Sequence, residues 1–303
     1  SVMGIFGVLK HLPRILKVRK LLTQKILKNP PDAFIGIDAP DFNLKLEKKL
    51  KHKGIKTIHV VSPSFWAWRK KRVKVLSQST DLLLCLFPFE EGILKEHNVN
   101  AVFIGHPLAD SIQQKIDFQT AKNNLELKAK IVVALMPGSR SSEINRHAKL
   151  FFEAAKLLTN KIEDIEFVIP VVDSKIGEQL KKILELYLTD LKVTITDSTH
   201  SALSVSDLVI TKSGTSTLEA ALHKKPMVVV YKMSSLSYWF LKTFNIIHTE
   251  YIALPNILLG KKIVPELIQE NASSKAIFAE SLFWLSNHQK VIELEQQFHF
   301  LHS

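Results

Sequence analysis

Apolar residues fall along the chain in short, β-branched-rich runs separated by longer amphipathic stretches, and this alternation happens twice. Runs at 33–37, 57–61, 82–87 and 102–104 read as strands, while 43–53, a basic stretch ending at Ser77, and 89–97 carry helical periodicity. From Phe118 the alternation begins again. Strands are expected at 131–135, 165–171, 193–196, 208–211 and 227–230, with helices near 142–160, 174–188, 200–205 and 215–224. The tail from Ser273 reads as one or two further helices. Strand–helix alternation at this spacing builds βαβ units, and therefore parallel sheets with helices on both faces. The restart predicts an α/β protein of two doubly wound domains, residues 1–117 and residues 118–303.

Before the first strand, residues 3–28 form a helical pattern with seven Lys/Arg and no acid. Ile5, Leu9, Leu12, Leu16, Leu21 and Leu22 recur at near-helical spacing, and Pro13 is expected to kink the helix or mark a restart. Lys10, Arg14, Lys17 and Lys20 fit a helix lying on an anionic membrane surface. The plainer alternative is a surface helix whose apolar stripe packs on a sheet.

Composition sharpens this picture. At 303 residues, 46% apolar and 23% charged, the chain is globular and long enough for two domains. The net charge of +12 is unevenly placed: residues 1–80 hold 18 Lys/Arg against 4 Asp/Glu, so the basicity belongs to one end. Such a half suggests an anionic partner, nucleic acid or lipid. Cys85, the only cysteine, lies in an apolar run and reads as a buried core thiol, which fits a reducing compartment. No apolar run approaches the roughly 20 residues that span a bilayer, and Lys10 and Arg14 interrupt any signal-peptide pattern. Opening on Ser1 rather than Met, directly into a helix, points to a start further upstream.

Two turns carry the candidate chemistry. MPGSRSSE (136–143) and KSGTSTLE (212–219) each end a strand in glycine and small hydroxyl residues and then open a helix. Such a turn leaves the first helical N–H groups and the positive dipole end free for an anion. Gly138, Ser139 and Arg140 in the first turn, and Ser213, Gly214, Thr215 and Glu219 in the second, together suit a ligand with both phosphate and sugar, such as a nucleotide sugar. Either turn alone could be a plain connection, and neither matches GxGxxG or GxxxxGK[ST].

Other segments are more ambiguous. Asp38 and Asp41 in GIDAPDFN follow the first strand, where a carboxylate could serve as base for a sugar hydroxyl, although Asp41 equally suits an N-cap for the helix from Asn43. Trp66, Trp68, Arg69 and Arg72 form an aromatic–basic segment that could stack on bases or sit at a lipid interface. With no accompanying nucleic-acid motif, the lipid is favoured. The aromatic run 234–241 is either core or an acyl-chain surface, and His106 is either a turn histidine or a site residue. No metal-ligand spacing is present, and neither metal nor cofactor is expected.

Taken in order, GIDAPDFN, VSPSFWAWR, DLLLCLFPFE, FIGHPLAD, MPGSRSSEI, KSGTSTLEAAL, MVVVYKM and ALPNILLG resemble the lipid-A-disaccharide synthases, inverting glycosyltransferases of Gram-negative bacteria. The resemblance runs over about residues 1–270. It implies two Rossmann-like domains of glycosyltransferase-B type with the active site in the cleft between them. It implies transfer of 2,3-diacylglucosamine from UDP-2,3-diacylglucosamine to the 6-hydroxyl of 2,3-diacylglucosamine 1-phosphate, giving a β-1,6 disaccharide and UDP. The chain would act from the cytoplasm, peripherally on the anionic inner face of the inner membrane, with a homodimer left open. On this likeness Asp41 matches the base and Asp32 a residue needed for activity; Arg140 would hold the pyrophosphate, Glu219 the ribose, and Asn256 would make another site contact. The family's first strand and its Gly- and Ser-containing loop have no counterpart here, so the first domain is expected to lack its initial βα unit. The alternatives are a UDP-N-acetylglucosamine epimerase, another lipid glycosyltransferase, or a non-catalytic membrane-binding fragment.

Overall fold

Strand β1 (Ala33–Ile37) is five residues long and ends where the left-handed pair Asp38–Ala39 and then Pro40 forbid its continuation. A computed structural model describes residues 5–63, 72–113, 118–171, 173–187, 191–233 and 250–303. Their contacts divide into two compact units, one reaching His106 and the other beginning at Pro107, where the sequence pattern suggested 117/118.

In the first unit, helix α1 (Ile5–Lys28) leads into β1, α2 (Pro40–Lys51), β2 (Lys56–Val60), α3 (Arg72–Ser79), β3 (Leu82–Cys85), α4 (Pro88–Glu96) and β4 (Ala101–Phe103). α1 continues through Pro13, so of the kink or restart expected there the restart is not found. The four strands pair in parallel in chain order, β1-β2-β3-β4. Leu44, Val73, Leu76 and Leu94 from α2–α4 pack on Leu83, Cys85 and Ala101, so these helices share one sheet face. The other face is less covered: Ile35 and Ile37 are exposed, and their register partners Ile58 and Val60 half-buried. Helices on both faces, expected from the alternation, are therefore not found in this unit among the described residues. Burial pushes the Cys85 thiol up to about 12, and it remains a core thiol.

The second unit holds α5 (Pro107–Ser111), α6 (Phe118–Asn124), β5 (Ile131–Met136), α7 (Ser141–Thr159), β6 (Ile165–Pro170), α8 (Ser174–Leu184), β7 (Val193–Thr196), α9 (Thr199–Ser204), β8 (Leu208–Lys212), α10 (Thr215–Leu222) and β9 (Met227–Tyr231). There follow α11 (Leu254–Leu259), β10 (Glu266–Ile268), a single 3₁₀ turn, α12 (Ser274–Ser286) and α13 (His288–His302). Ile144, Ala148, Phe151, Phe152, Ala155 and Leu158 form one helical stripe on α7, wholly buried against the sheet. Its six parallel strands run β10-β9-β8-β5-β6-β7. Chain order reverses between β5 and β8, and this switch point is where open α/β sheets bind ligands. Among the described residues no helix is long and apolar enough to cross a membrane.

Candidate functional site

The two turns singled out in the sequence meet at that switch point. β5 and β8 are adjacent, with Met136 in register with Thr211, so both strands deliver their glycine turns to the same sheet edge. A cavity of about 360 Å³ lies there, lined by Gly138, Ser139, Glu143, Lys212, Gly214, Thr215 and Glu219, among others. The first turns of α7 and α10 open onto it, and neither Arg140 nor Gly214 caps its helix with a side-chain hydrogen bond. Both helix N-termini therefore offer N–H groups and positive dipole ends to an anion.

Gly138 is required by geometry. Its φ is 136°, and a Cβ there would stand 2.5 Å from the Cβ of Glu143. The close approach lets Ser139 N–H donate to Glu143 Oε2 at 3.1 Å. Oε1 of the same carboxylate accepts from Arg140 Nη1 at 3.0 Å and from Lys212 Nζ at 3.1 Å. Burial alone would raise the Glu143 carboxyl, but Lys212, the Ser139 N–H and Arg140 hold it below the usual carboxylate range. The Lys212 side chain is 17% exposed and that of Arg140 51%, so Lys212 is the more desolvated cation. Behind Glu143, buried His147 donates from Nδ1 to Glu143 O at 2.8 Å and accepts the Lys232 N–H at Nε2 at 3.0 Å. These partners fix a neutral tautomer, and burial lowers the pKa of the ring.

Glu219 lines the opposite wall. Burial pushes its carboxyl up, with no described cation to offset it, which leaves an acceptor suited to hydroxyl donors. Ser213 is committed elsewhere, its hydroxyl donating to Ile252 O at 2.8 Å. Asn256, for which the likeness implied another site contact, is engaged locally in this structure. Its buried Nδ2 donates to Val264 O and Glu266 Oε1, and its Oδ1 accepts from Ile263 and Val264 N–H, so all four amide positions serve the local fold. Sequence reasoning missed Glu143 and Lys212 as site residues. Both stand inside the quoted blocks, but their pairing spans 69 residues and becomes visible only when β5 and β8 pair.

In the first unit, Asp41 is exposed in the first turn of α2. It is not the N-cap: Ala39 holds that position, and α2 starts three residues earlier than the sequence suggested. Arg19 Nη1 on α1 donates to Asp41 O at 3.4 Å. Asp32 lies before the amino end of β1 and Asp41 beyond its carboxyl end, so five strand residues, about 17 Å, separate them. The two carboxylates cannot act on one reacting atom. Arg14, Lys17 and Lys20 are exposed on α1, as are Leu12, Leu16, Val18 and Leu21. In the last turns of α1, Leu22 and Ile26 pack on Leu46 and Leu50. Lys10 falls within α1 and Arg72 opens α3. Trp66, Trp68, Arg69 and the aromatic run 234–241 lie outside the described residues. His106 is half-buried beside the Phe87 ring, at 5.6 Å between centroids, and burial lowers its pKa.

A family model described as lipid-A-disaccharide synthetase matches residues 1–302. The chain is 47% identical over 278 residues to a lipid-A-disaccharide synthase of Pseudomonas putida, spanning 91% of this chain and 73% of that one. It is 42% identical over 307 residues to one of Methylobacillus flagellatus, spanning 100% and 80%. Among solved structures, a UDP-GlcNAc 2-epimerase from Neisseria meningitidis bound to UDP-GlcNAc superposes with a TM-score of 0.63 over 98% of this chain and 77% of that one. At 13% identity, that likeness is one of fold alone. The architecture is glycosyltransferase-B, with two Rossmann-like parallel-sheet domains.

Proposed function

The chain belongs to the lipid-A-disaccharide synthase family, hexosyltransferases that form the lipid A disaccharide, and from that premise we propose how its residues divide the reaction. The protein takes a UDP-sugar. In this reading the donor is UDP-2,3-diacylglucosamine and its nucleotide occupies the cavity between the α7 and α10 N-termini. The observation that carries the placement is the meeting of two uncapped helix N-termini with Lys212 at the β5–β8 switch point, while Arg140, which does not itself line the cavity, is held on the same Glu143 carboxylate. A pyrophosphate accepts hydrogen bonds from such N–H groups, and the two cations offset its charge. Glu219 accepts from the ribose hydroxyls.

The acceptor is 2,3-diacylglucosamine 1-phosphate. Its 6-hydroxyl oxygen attacks the donor's anomeric carbon while the bond from that carbon to the phosphate oxygen breaks, inverting the configuration. The hydroxyl proton passes to the Asp41 carboxylate, and the electron pair of the broken bond leaves on UDP. The helix N-termini, Arg140 and Lys212 stabilise that leaving charge, an electrostatic contribution that grows as the bond breaks.

Both sugars carry acyl chains, so the protein works at a lipid surface. The exposed mixture of cations and leucines on α1 favours docking on an anionic membrane over the plainer packed-helix reading. The epimerase reading loses ground because its likeness to this chain is confined to fold. A UDP-release assay with both diacylated sugars tests the assignment. UDP release that requires both sugars, with a disaccharide as co-product, supports it. Turnover of UDP-N-acetylglucosamine without a lipid acceptor would replace it.

A further inference from the structure

The turn that presents Asp41 is strained, and a small set of side chains holds it. Asp38 and Ala39 are consecutive non-glycine residues with φ of 51° and 43°, conformations disfavoured by any Cβ. Such a turn persists only where its surroundings over-determine it. Asp38 N–H donates to Val60 O at 2.9 Å. Asn43 Nδ2 donates to Ile37 O at 3.2 Å and to Asp38 O at 2.8 Å, gripping the carbonyls on either side of the Asp38 Cα. One helical turn along α2, Glu47 Oε1 meets His59 Nδ1 at 2.7 Å, and both side chains are completely buried. Asn43 and Glu47 both lie over Gly36, the register partner of His59. A Cβ on Gly36 would stand 3.3 Å from the Asn43 Cβ and would overlap Glu47 Oε1.

The Glu47–His59 pair is a costly way to pack a helix on a sheet. Glu47 Oε2 and His59 Nε2 are buried without a hydrogen-bond partner among the described residues. An apolar pair of similar volume would hold α2 at least as firmly. It would not supply a directional contact that sets the rotation and height of α2 over β2. Asp41 lies six residues before Glu47 on that helix, about 9 Å along its axis, so a small rotation at Glu47 displaces the Asp41 carboxylate.

We propose that Asn43 and the Glu47–His59 pair are positioning residues, which hold the strained turn and the first turn of α2 so that Asp41 meets the acceptor hydroxyl. The proposal rests on the reading of Asp41 as the base. A misplacement of about 1 Å at a reacting group can cost on the order of 10²-fold in rate. Asn43→Ala, and Glu47→Leu combined with His59→Leu, are each measured with Asp41 present and in an Asp41→Asn background. With Asp41 present, each lowers kcat about 10- to 100-fold with unchanged UDP affinity, and the leucine pair melts no lower than the wild type. In the Asp41→Asn background neither change lowers kcat further, because a misplaced and an absent carboxylate are equivalent. Equal losses in both backgrounds, or full kcat in Asn43→Ala, overturn the positioning role alone. Full turnover in Asp41→Asn by itself removes the base, and the positioning role with it. If the leucine pair does not fold, the half-buried Asn43 carries the test alone.

Discussion

Glu143 and Lys212, 69 residues apart in the chain, meet at 3.1 Å across the β5–β8 switch point. The contact orders the lysine before any ligand arrives and aims it into the cavity it helps to line. A phosphate entering there exchanges one anionic partner for another on a cation already desolvated, which keeps the ordering cost of binding low.

Lys212→Met, Arg140→Ala and Glu219→Ala are each expected to weaken UDP binding. A lost charge-assisted hydrogen bond costs about 1.5–3 kcal/mol, roughly 10- to 100-fold in Kd. Lys212 should stand at the upper end and the half-exposed Arg140 at the lower, since water screens the latter. Calorimetric titration of UDP measures all three. Unchanged affinity in every variant would take the nucleotide out of this cavity.

Gly138→Ala tests the turn rather than a charge. The new methyl would lie 2.5 Å from the Glu143 Cβ at a φ of 136°, so the turn must move. Thermal denaturation should show a loss of about 1–3 kcal/mol, accompanied by weaker UDP binding. Native stability together with native affinity would mean that the turn is not held as described.

Asp41→Asn should lower kcat by about 10²–10⁴-fold while leaving UDP affinity intact, the signature of a lost general base. Asp32, at the opposite end of β1, should behave differently. In steady-state kinetics the Asp32→Asn and Asp41→Asn losses multiply, because the two residues share no reacting atom. A double variant no slower than Asp41→Asn alone would place both carboxylates in one catalytic unit.

A pH dependence follows from His223. Burial brings its pKa from 6.5 down to about 4, aided by His200, Lys225 and Lys224, while a hydrogen bond to Glu219 O opposes the shift. Nε2 faces His200 Nδ1 at 2.9 Å and serves as its acceptor. Between pH 4 and 6.5 the unfolded chain binds the proton that folded His223 refuses, so stability rises with pH through this window. The contribution, of order 3 kcal/mol, is complete above pH 6.5 and is lost as pH falls toward 4. Denaturant melts of the wild type and His223→Gln should diverge over that range. Parallel curves would show that His223 accepts its proton in the folded state.

Much of this architecture is legible in the sequence because strands such as β5 and β8 are short apolar runs punctuated by glycine, and α7 carries a strong 3.6-residue stripe. Short elements escape that logic: β10 has three residues and α5 five, too few to show a period. The site was half legible. Both turns announce themselves locally, whereas the Glu143–Lys212 pair depends on a strand order that no local pattern encodes. The local bonding of Asn256 is hidden for a related reason, since its four partners, in Ile263, Val264 and Glu266, are set by the path of the chain into β10.

Residues 1–80 hold 18 Lys/Arg against 4 Asp/Glu, and the described part of α1 exposes Arg14, Lys17 and Lys20 beside Leu12, Leu16, Val18 and Leu21. Cations near an anionic surface contribute about 1 kcal/mol each, and this attraction decays over a Debye length of about 8 Å at physiological salt. Apolar side chains entering the interface add a part that salt does not screen. Binding to anionic vesicles in a sedimentation assay should therefore be strong at low salt, fall steeply as salt is added, and level off above zero. Neutral vesicles should show only that residual level at every salt concentration. Replacing Lys10, Arg14, Lys17 and Lys20 with Gln should bring anionic vesicles down to the same level. It should also raise the apparent KM for both lipid substrates and leave UDP affinity unchanged, because the nucleotide is held by other residues. Leu16→Ser and Leu21→Ser should lower the residual level while preserving the salt slope. Equal binding to neutral and anionic vesicles would show that the basic end of the chain serves something other than a membrane.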